Sequence, residues 1–72
     1  MTEKSKIQTD YITLGQFLKL ANVFESGGMI KQYLKDQGVI VNGVLDHRRG
    51  RKLYPNDQVR IDGIGTFLVV KD

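Results

Sequence analysis

Cysteine is absent from this chain, and histidine occurs once, at His47. Without thiols there is no disulfide framework, zinc knuckle or Cys nucleophile, and one imidazole cannot complete a metal site or a catalytic triad alone. Long apolar runs are missing too. Nothing approaches the roughly 20 residues of a membrane span, and the opening Met1-Thr2-Glu3-Lys4-Ser5-Lys6 lacks the apolar centre of a secretory signal. The expected location is the cytoplasm, whose reducing conditions suit a chain without Cys. Paired carboxylates and a Gly-rich Walker loop are also lacking: Asp46, Asp57 and Asp62 are spread along the chain and read as turn or loop residues. Nucleophile, base and metal cannot be assembled from this inventory, so neither an enzyme, a cofactor nor a bound metal is expected.

What is present is one small core and one dense charge. Seventy-two residues, 40% apolar and 26% charged, describe a single globular domain with no room for a second core. The net charge is +3, yet Arg48-Arg49-Gly50-Arg51-Lys52 alone carries four positive charges in five residues. The rest of the chain is nearly balanced, and the positive field is local. Like charges so close repel one another, and a polyanion rewards the clustering by releasing its condensed counterions. Two readings compete for such a run, a phosphate-docking patch and a solvated loop. Its setting favours the first.

Thr13-Leu14-Gly15-Gln16 has the form of a capping box and predicts a helix start. Leu14, Phe17, Leu18 and Ala21 follow at i, i+3, i+4 and i+7 on one face, with Gln16 and Lys19 toward water. Val23 and Phe24 are expected to tuck into the core as the chain turns. Ser26 caps a second helix that runs to Gln37 and is closed by Gly38, with Met29, Ile30, Tyr33 and Leu34 as its predicted buried stripe. Lys31 and Lys35, four apart, share the outward face. Beyond Gly38 the period shortens to two. Val39 and Val41 alternate with Ile40, Asn42-Gly43 is a hairpin turn, and Val44-Leu45 begins the returning strand. Pro55-Asn56-Asp57 reads as a turn, Gln58-Val59-Arg60-Ile61 as a strand, Asp62-Gly63 as a second turn and Thr66 to Val70 as the last strand. Residues 1–12 read as a polar arm in which alternating Ile7, Thr9 and Tyr11 suggest a short strand, and residues 13–72 as the single binding domain. The sum is an α+β fold, two short helices packed on a small, mostly antiparallel sheet.

Four segments, in this order, carry a resemblance: Leu14-Gly15-Gln16-Phe17-Leu18-Lys19, Glu25-Ser26-Gly27-Gly28, Val39-Ile40-Val41-Asn42-Gly43, and the stretch from Arg48-Arg49-Gly50-Arg51-Lys52 through Leu53-Tyr54-Pro55-Asn56-Asp57-Gln58-Val59. Together they resemble the alpha-L RNA-binding domain first recognised in ribosomal small-subunit protein number four. An Asn-Gly turn, a basic run and a Pro-x-Asp turn are more specific as a set than any one piece. Asn56 stands where the family's turn usually has Gly, and Asn tolerates the left-handed backbone required there. With no appended domain expected, the chain is similar to the stand-alone bacterial YaaA-like group. The resemblance implies a monomeric, non-catalytic module that recognises folded RNA, ribosomal or transfer RNA.

The expected interface centres on Arg48, Arg49, Arg51 and Lys52, since the planar fork of Arg grips phosphate through two parallel N–H bonds. Gly50 either lets the backbone bend so that the arginines fan toward a ligand or marks a bulge. Lys31 and Lys35 are expected to extend the patch, and Gln16 and Lys19 to join it from the first helix. Ser26, Gly27 and Gly28 offer backbone N–H groups at a helix start, where a phosphate can sit, against the simpler reading of a cap. Asn42 is included, although the turn it makes with Gly43 accounts for both. Tyr54 and His47 flank the run, and aromatics beside cations either stack on unpaired bases or simply pack. The expected function is recognition of structured RNA by a basic face, with a log–log salt slope of very roughly −3 to −4 if about four phosphates are neutralised. The alternative is a protein-interaction adaptor docking an acidic partner on the ribosome or in replication machinery. Duplex DNA fits less well, because no helix carries the Arg, Asn and Gln set of major-groove readout.

Overall fold

The computed structural model describes residues 2–72. Thr13 opens the first helix as a capping box requires: its Oγ1 accepts from the Gln16 N–H at 3.4 Å, and its own N–H donates to Gln16 Oε1 at 3.4 Å. That helix, α1 (Leu14–Leu20), buries Leu14, Phe17 and Leu18. Ser26 Oγ accepts from the Met29 N–H at 3.3 Å and starts α2 (Gly27–Asp36), which buries Ile30 and Leu34. Tyr33 is half-buried, but Met29 is 49% exposed, so the predicted stripe is narrower than expected. Ile30, Tyr33 and Leu34, at i, i+3 and i+4, already fill the core-facing side. Met29 lies one turn before Tyr33 at the outer edge of that stripe and lines a shallow surface groove with Phe24, Gln32 and Tyr33. No helix among the described residues is long and apolar enough to cross a membrane.

Among the described residues seven strands complete the fold: β1 (Thr2–Ile7), β2 (Ile12–Thr13), β3 (Val39–Val41), β4 (Val44–Asp46), β5 (Lys52–Leu53), β6 (Gln58–Ile61) and β7 (Gly65–Lys71). Five of them form one sheet in the order β1-β7-β6-β3-β4, antiparallel except for the parallel β1–β7 edge. The period-two signal located β3, β4, β6 and β7. It misplaced the first strand, which ends at Ile7 and gives way to a bend over residues 8–10. Thr2 to Ile7 is polar apart from Ile7, and its pairing with β7 is a long-range register that local alternation does not encode. A separate two-stranded sheet sets Ile12 opposite Leu53 and Thr13 opposite Lys52, too short a ladder to show any period.

One face of the large sheet, with Val39, Val41, Val59, Ile61, Phe67 and Val69, packs on Leu14, Phe17, Leu18, Ile30 and Leu34. Phe17 meets Phe67 edge-on at 6.3 Å and 82°, the arrangement the ring quadrupoles favour. Val23 and Phe24 are half-buried against this core, as the chain turn predicts. Asn42 (φ 52°) and Gly43 (φ 84°) make the β3–β4 turn, and Asn56 (φ 80°) follows Pro55 in a tight turn closed by the Asp57 N–H donating to the Tyr54 carbonyl at 3.0 Å.

Gly38 ends α2 with φ +72°, and a Cβ there would lie 2.8 Å from the Asp46 carbonyl oxygen. Left-handed strain and a clash with backbone act together, so Gly38→Ala is expected to cost about 2 to 4 kcal/mol in chemical denaturation. Gly38→Asn tolerates the left-handed backbone but keeps the Cβ. It is expected to recover only part of that loss; full recovery would show that the close approach contributes nothing.

Candidate nucleic-acid interface

The first N–H groups of a helix have no intrahelical acceptor. In α1 two of them find one on the basic segment: Leu14 N–H donates to the Arg51 carbonyl at 2.7 Å and Gly15 N–H to the Arg49 carbonyl at 2.9 Å. The run is thus fastened to the helix start by its backbone, leaving its side chains to project from a fixed support. Gly15 permits the approach, since a Cβ there would lie 2.5 Å from Arg49 Cγ and 3.2 Å from Arg49 Cδ. Gly in a helix costs about 1 kcal/mol relative to Ala. That cost at the first turn is the signal by which the sequence marks Gly15 as a place of close contact.

Asp46 shapes the segment from its other end. Read from sequence as a loop carboxylate, it instead closes β4, and it is only 6% exposed. Its Oδ1 accepts from the Arg48 N–H at 2.8 Å and Arg48 Nε at 3.2 Å; its Oδ2 accepts from Arg48 Nη2 at 2.9 Å and Arg51 Nη1 at 2.8 Å. Hydrogen bonding from Arg48 first, opposed by burial and reinforced by Arg51, holds the Asp46 carboxyl well below its ordinary value of 3.8. An acidic residue two positions before a basic run is the only sequence signal for this role.

The cationic cluster is therefore divided. Arg48 and Arg51 are tied to Asp46. Among the described residues Arg49 and Lys52 have no carboxylate partner, and Lys52 Nζ stands 4.8 Å from the centroid of the Tyr11 ring. Arg49 and Gly50 form one wall of an open concavity of about 520 Å³. Thr13, Gly15, Gln16 and Lys19 supply the α1 side, and Gly27 and Ile30 the α2 side; among the described residues no carboxylate lines it. Residues from three separate parts of the chain thus meet around one hollow bearing two cations, Lys19 and Arg49, and the exposed start of α2.

Several expected residues lie elsewhere. Ser26 is occupied as the α2 cap, with Gly28 exposed beside it. Lys31 and Lys35 are exposed along α2 but do not line the hollow. Asn42 is knitted into the neighbouring strand: its Nδ2 donates to Asp57 Oδ1 at 3.0 Å, and its Oδ1 accepts from the Gln58 N–H at 2.9 Å. His47 Nδ1 donates to the Leu34 carbonyl at 2.7 Å, satisfying the last turn of α2. Tyr54 follows β5 and faces Tyr11, with ring centroids 6.0 Å apart, a neighbour that sequence reasoning left out of the site.

A family model described as the S4 domain matches residues 5–70. Among curated proteins, the chain is 56% identical over 70 residues to the probable ribosome maturation protein RlbA of Bacillus subtilis (strain 168), a likeness that covers 97% of this chain and 99% of that protein. No solved structure matches the chain.

Proposed function

We propose, since this chain belongs to the S4 domain family, that it is a non-enzymatic, cytoplasmic RNA-binding module that grips structured RNA through the hollow walled by Arg49, Gly50, Lys19 and Gly27. What carries this reading is the docking of the basic run's backbone on the start of α1, which brings Arg49 to the same concavity as Lys19 and the α2 start. A-form RNA hides its base edges in a deep, narrow groove, so a small rigid cationic surface reads the spacing of phosphates. Arg49 offers a bidentate fork, Lys19 a point charge, and the start of α2 the positive end of a helix dipole. Among the described residues, the hollow's lining includes no carboxylate, His or Cys to act as base or nucleophile. The Bacillus relative is named for ribosome maturation, which supports ribosomal over transfer RNA as the target.

One observation favours the adaptor as a second reading. Register places Leu45, Ile40, Arg60, Leu68, Lys4 and Lys6 on the sheet face opposite the helices, with Arg60 on the central strand between apolar neighbours and the two lysines on the edge strand β1, a mixed apolar and cationic surface that suits an acidic protein. Co-sedimentation of the protein with ribosomal particles, before and after ribonuclease digestion, separates the two. Loss of association on digestion is the expected result; persistence would transfer the function to the outer sheet face.

A further inference from the structure

Two tyrosines stand together beside the small β2–β5 sheet. Its antiparallel register carries Tyr11 opposite Tyr54, one step beyond the Ile12–Leu53 pair, and the two rings are inclined at 45°. Tyr11 is 42% and Tyr54 49% exposed, while Leu53 and Ile12 supply the apolar contact to the core beneath. The backbone on both sides is fixed. Thr9 Oγ1 donates to the Tyr11 carbonyl at 2.7 Å, and the Tyr54 N–H donates to Asp57 Oδ2 at 2.8 Å. Lys52, the last cation of the basic run, reaches over the Tyr11 ring. Positive charge and half-exposed aromatic surface are therefore adjacent, with Lys52 over one face of the Tyr11 ring and the Tyr54 ring beside it at the start of the Pro55-Asn56 turn.

We propose that Tyr11 and Tyr54 form a stacking platform for one unpaired base, so that the RNA this protein takes is a helix interrupted by a bulged or flipped-out nucleotide. The platform presupposes the RNA reading proposed above and names the class of RNA. A perfect duplex keeps its bases stacked inside and offers an aromatic side chain at its surface no ring face to meet. An extruded base does, and every base has one, so the platform selects an irregular shape without selecting a sequence. Lys52, beside the platform, meets a backbone phosphate in either kind of helix and joins the platform to the basic run.

The test uses two synthetic RNA hairpins, identical except for one unpaired adenine in the stem of the second, titrated by fluorescence anisotropy at several salt concentrations. The bulged hairpin is expected to bind roughly five- to a hundredfold more tightly, the range of base–aromatic stacking. The two log–log salt plots are expected to run parallel, because stacking adds no phosphate contact. Tyr11→Leu with Tyr54→Leu keeps an apolar side chain at each position but removes the ring faces, and is expected to bind both hairpins alike, at the wild-type affinity for the duplex. Tyr11→Phe with Tyr54→Phe is expected to keep the preference. Equal binding of both hairpins by the wild type, or a preference that survives the leucines in a variant with unchanged circular dichroism, overturns the platform and leaves the RNA reading standing. Failure of the wild type to bind either hairpin at low salt overturns both.

Discussion

Replacing Asp46 by Ala is expected to destabilise the domain by about 2 to 4 kcal/mol. Removing one partner of a fully buried ion pair costs about 3 to 5 kcal/mol, but here only the carboxylate is fully buried. Arg48 remains largely in water, so its share is screened, whereas Arg51, 26% exposed, is left with an uncompensated guanidinium against the core. For a domain of this size the loss corresponds to a fall in Tm of roughly 10 to 25 °C. The carboxyl titrates below its ordinary value of 3.8 in the folded state. Its contribution is thus fully present above about pH 4 and is lost as the pH falls below that, since the unfolded chain takes up the proton first. Asp46→Asn keeps the shape without the charge, so the stability gap between wild type and this variant is expected to shrink as the pH is lowered from 7 to 2. A gap that is constant over that range would show that the charge on Asp46 contributes nothing. Binding supplies an opposed pair of expectations. Removing a negative charge from a basic loop should by itself strengthen attraction to RNA, whereas loss of a preorganised loop weakens it. Asp46→Ala is expected to bind structured RNA roughly fivefold or more weakly, because ordering the loop that carries Arg49 and Lys52 then falls to the binding step.

Much of this architecture is written in local pattern. Thr13 and Ser26 cap helices because their hydroxyls stand three residues before an unsatisfied N–H, and Asn42-Gly43 turns a hairpin because both residues accept positive φ. Such signals span a few residues and survive without the rest of the chain. The features that escaped are those decided by distant neighbours. Thr2 to Lys6 is polar enough to read as an arm until β7 supplies a parallel register. Asp46 reads as a loop carboxylate until the chain folds back and places Arg51 against it. Met29 matches the helical period, but the period alone does not say how wide a face the sheet covers. At the candidate interface the sequence shows the cationic run but not which of its side chains are tied to a carboxylate. Arg48 and Arg51 look equivalent to Arg49 in the chain, and only the position of a buried carboxylate separates anchors from unpaired cations. Asn42 and His47 are similar cases: each is polar and near the basic run in sequence, yet the Asn42 amide is engaged by Asp57 and Gln58, and His47 Nδ1 by the Leu34 carbonyl.

That division yields the second large effect. Neutralising Lys19, Arg49 and Lys52 together, each to Gln, is expected to lower affinity for structured RNA by roughly a hundred- to a thousandfold at low salt, because three cationic groups no longer meet phosphate. The log–log salt slope is expected to become shallower by roughly 2 to 3, the value for three phosphates no longer neutralised. The fold is expected to be nearly unaffected, since Lys19 and Lys52 are exposed, Arg49 forms no ion pair among the described residues, and the Arg49 carbonyl that receives Gly15 N–H belongs to the backbone. Replacing Arg48 and Arg51 by Gln instead removes the same kind of charge from the same loop. There Asp46 already cancels one of the two charges, so the slope is expected to change by less than half as much, while the buried carboxylate loses its ionic donors and the domain loses stability. Measured side by side, the two sets exchange effects, one in salt slope and the other in Tm. If the anchoring pair flattened the slope and the triple change left it untouched, RNA would be meeting the opposite side of the loop, and the hollow between α1 and α2 would not be the site.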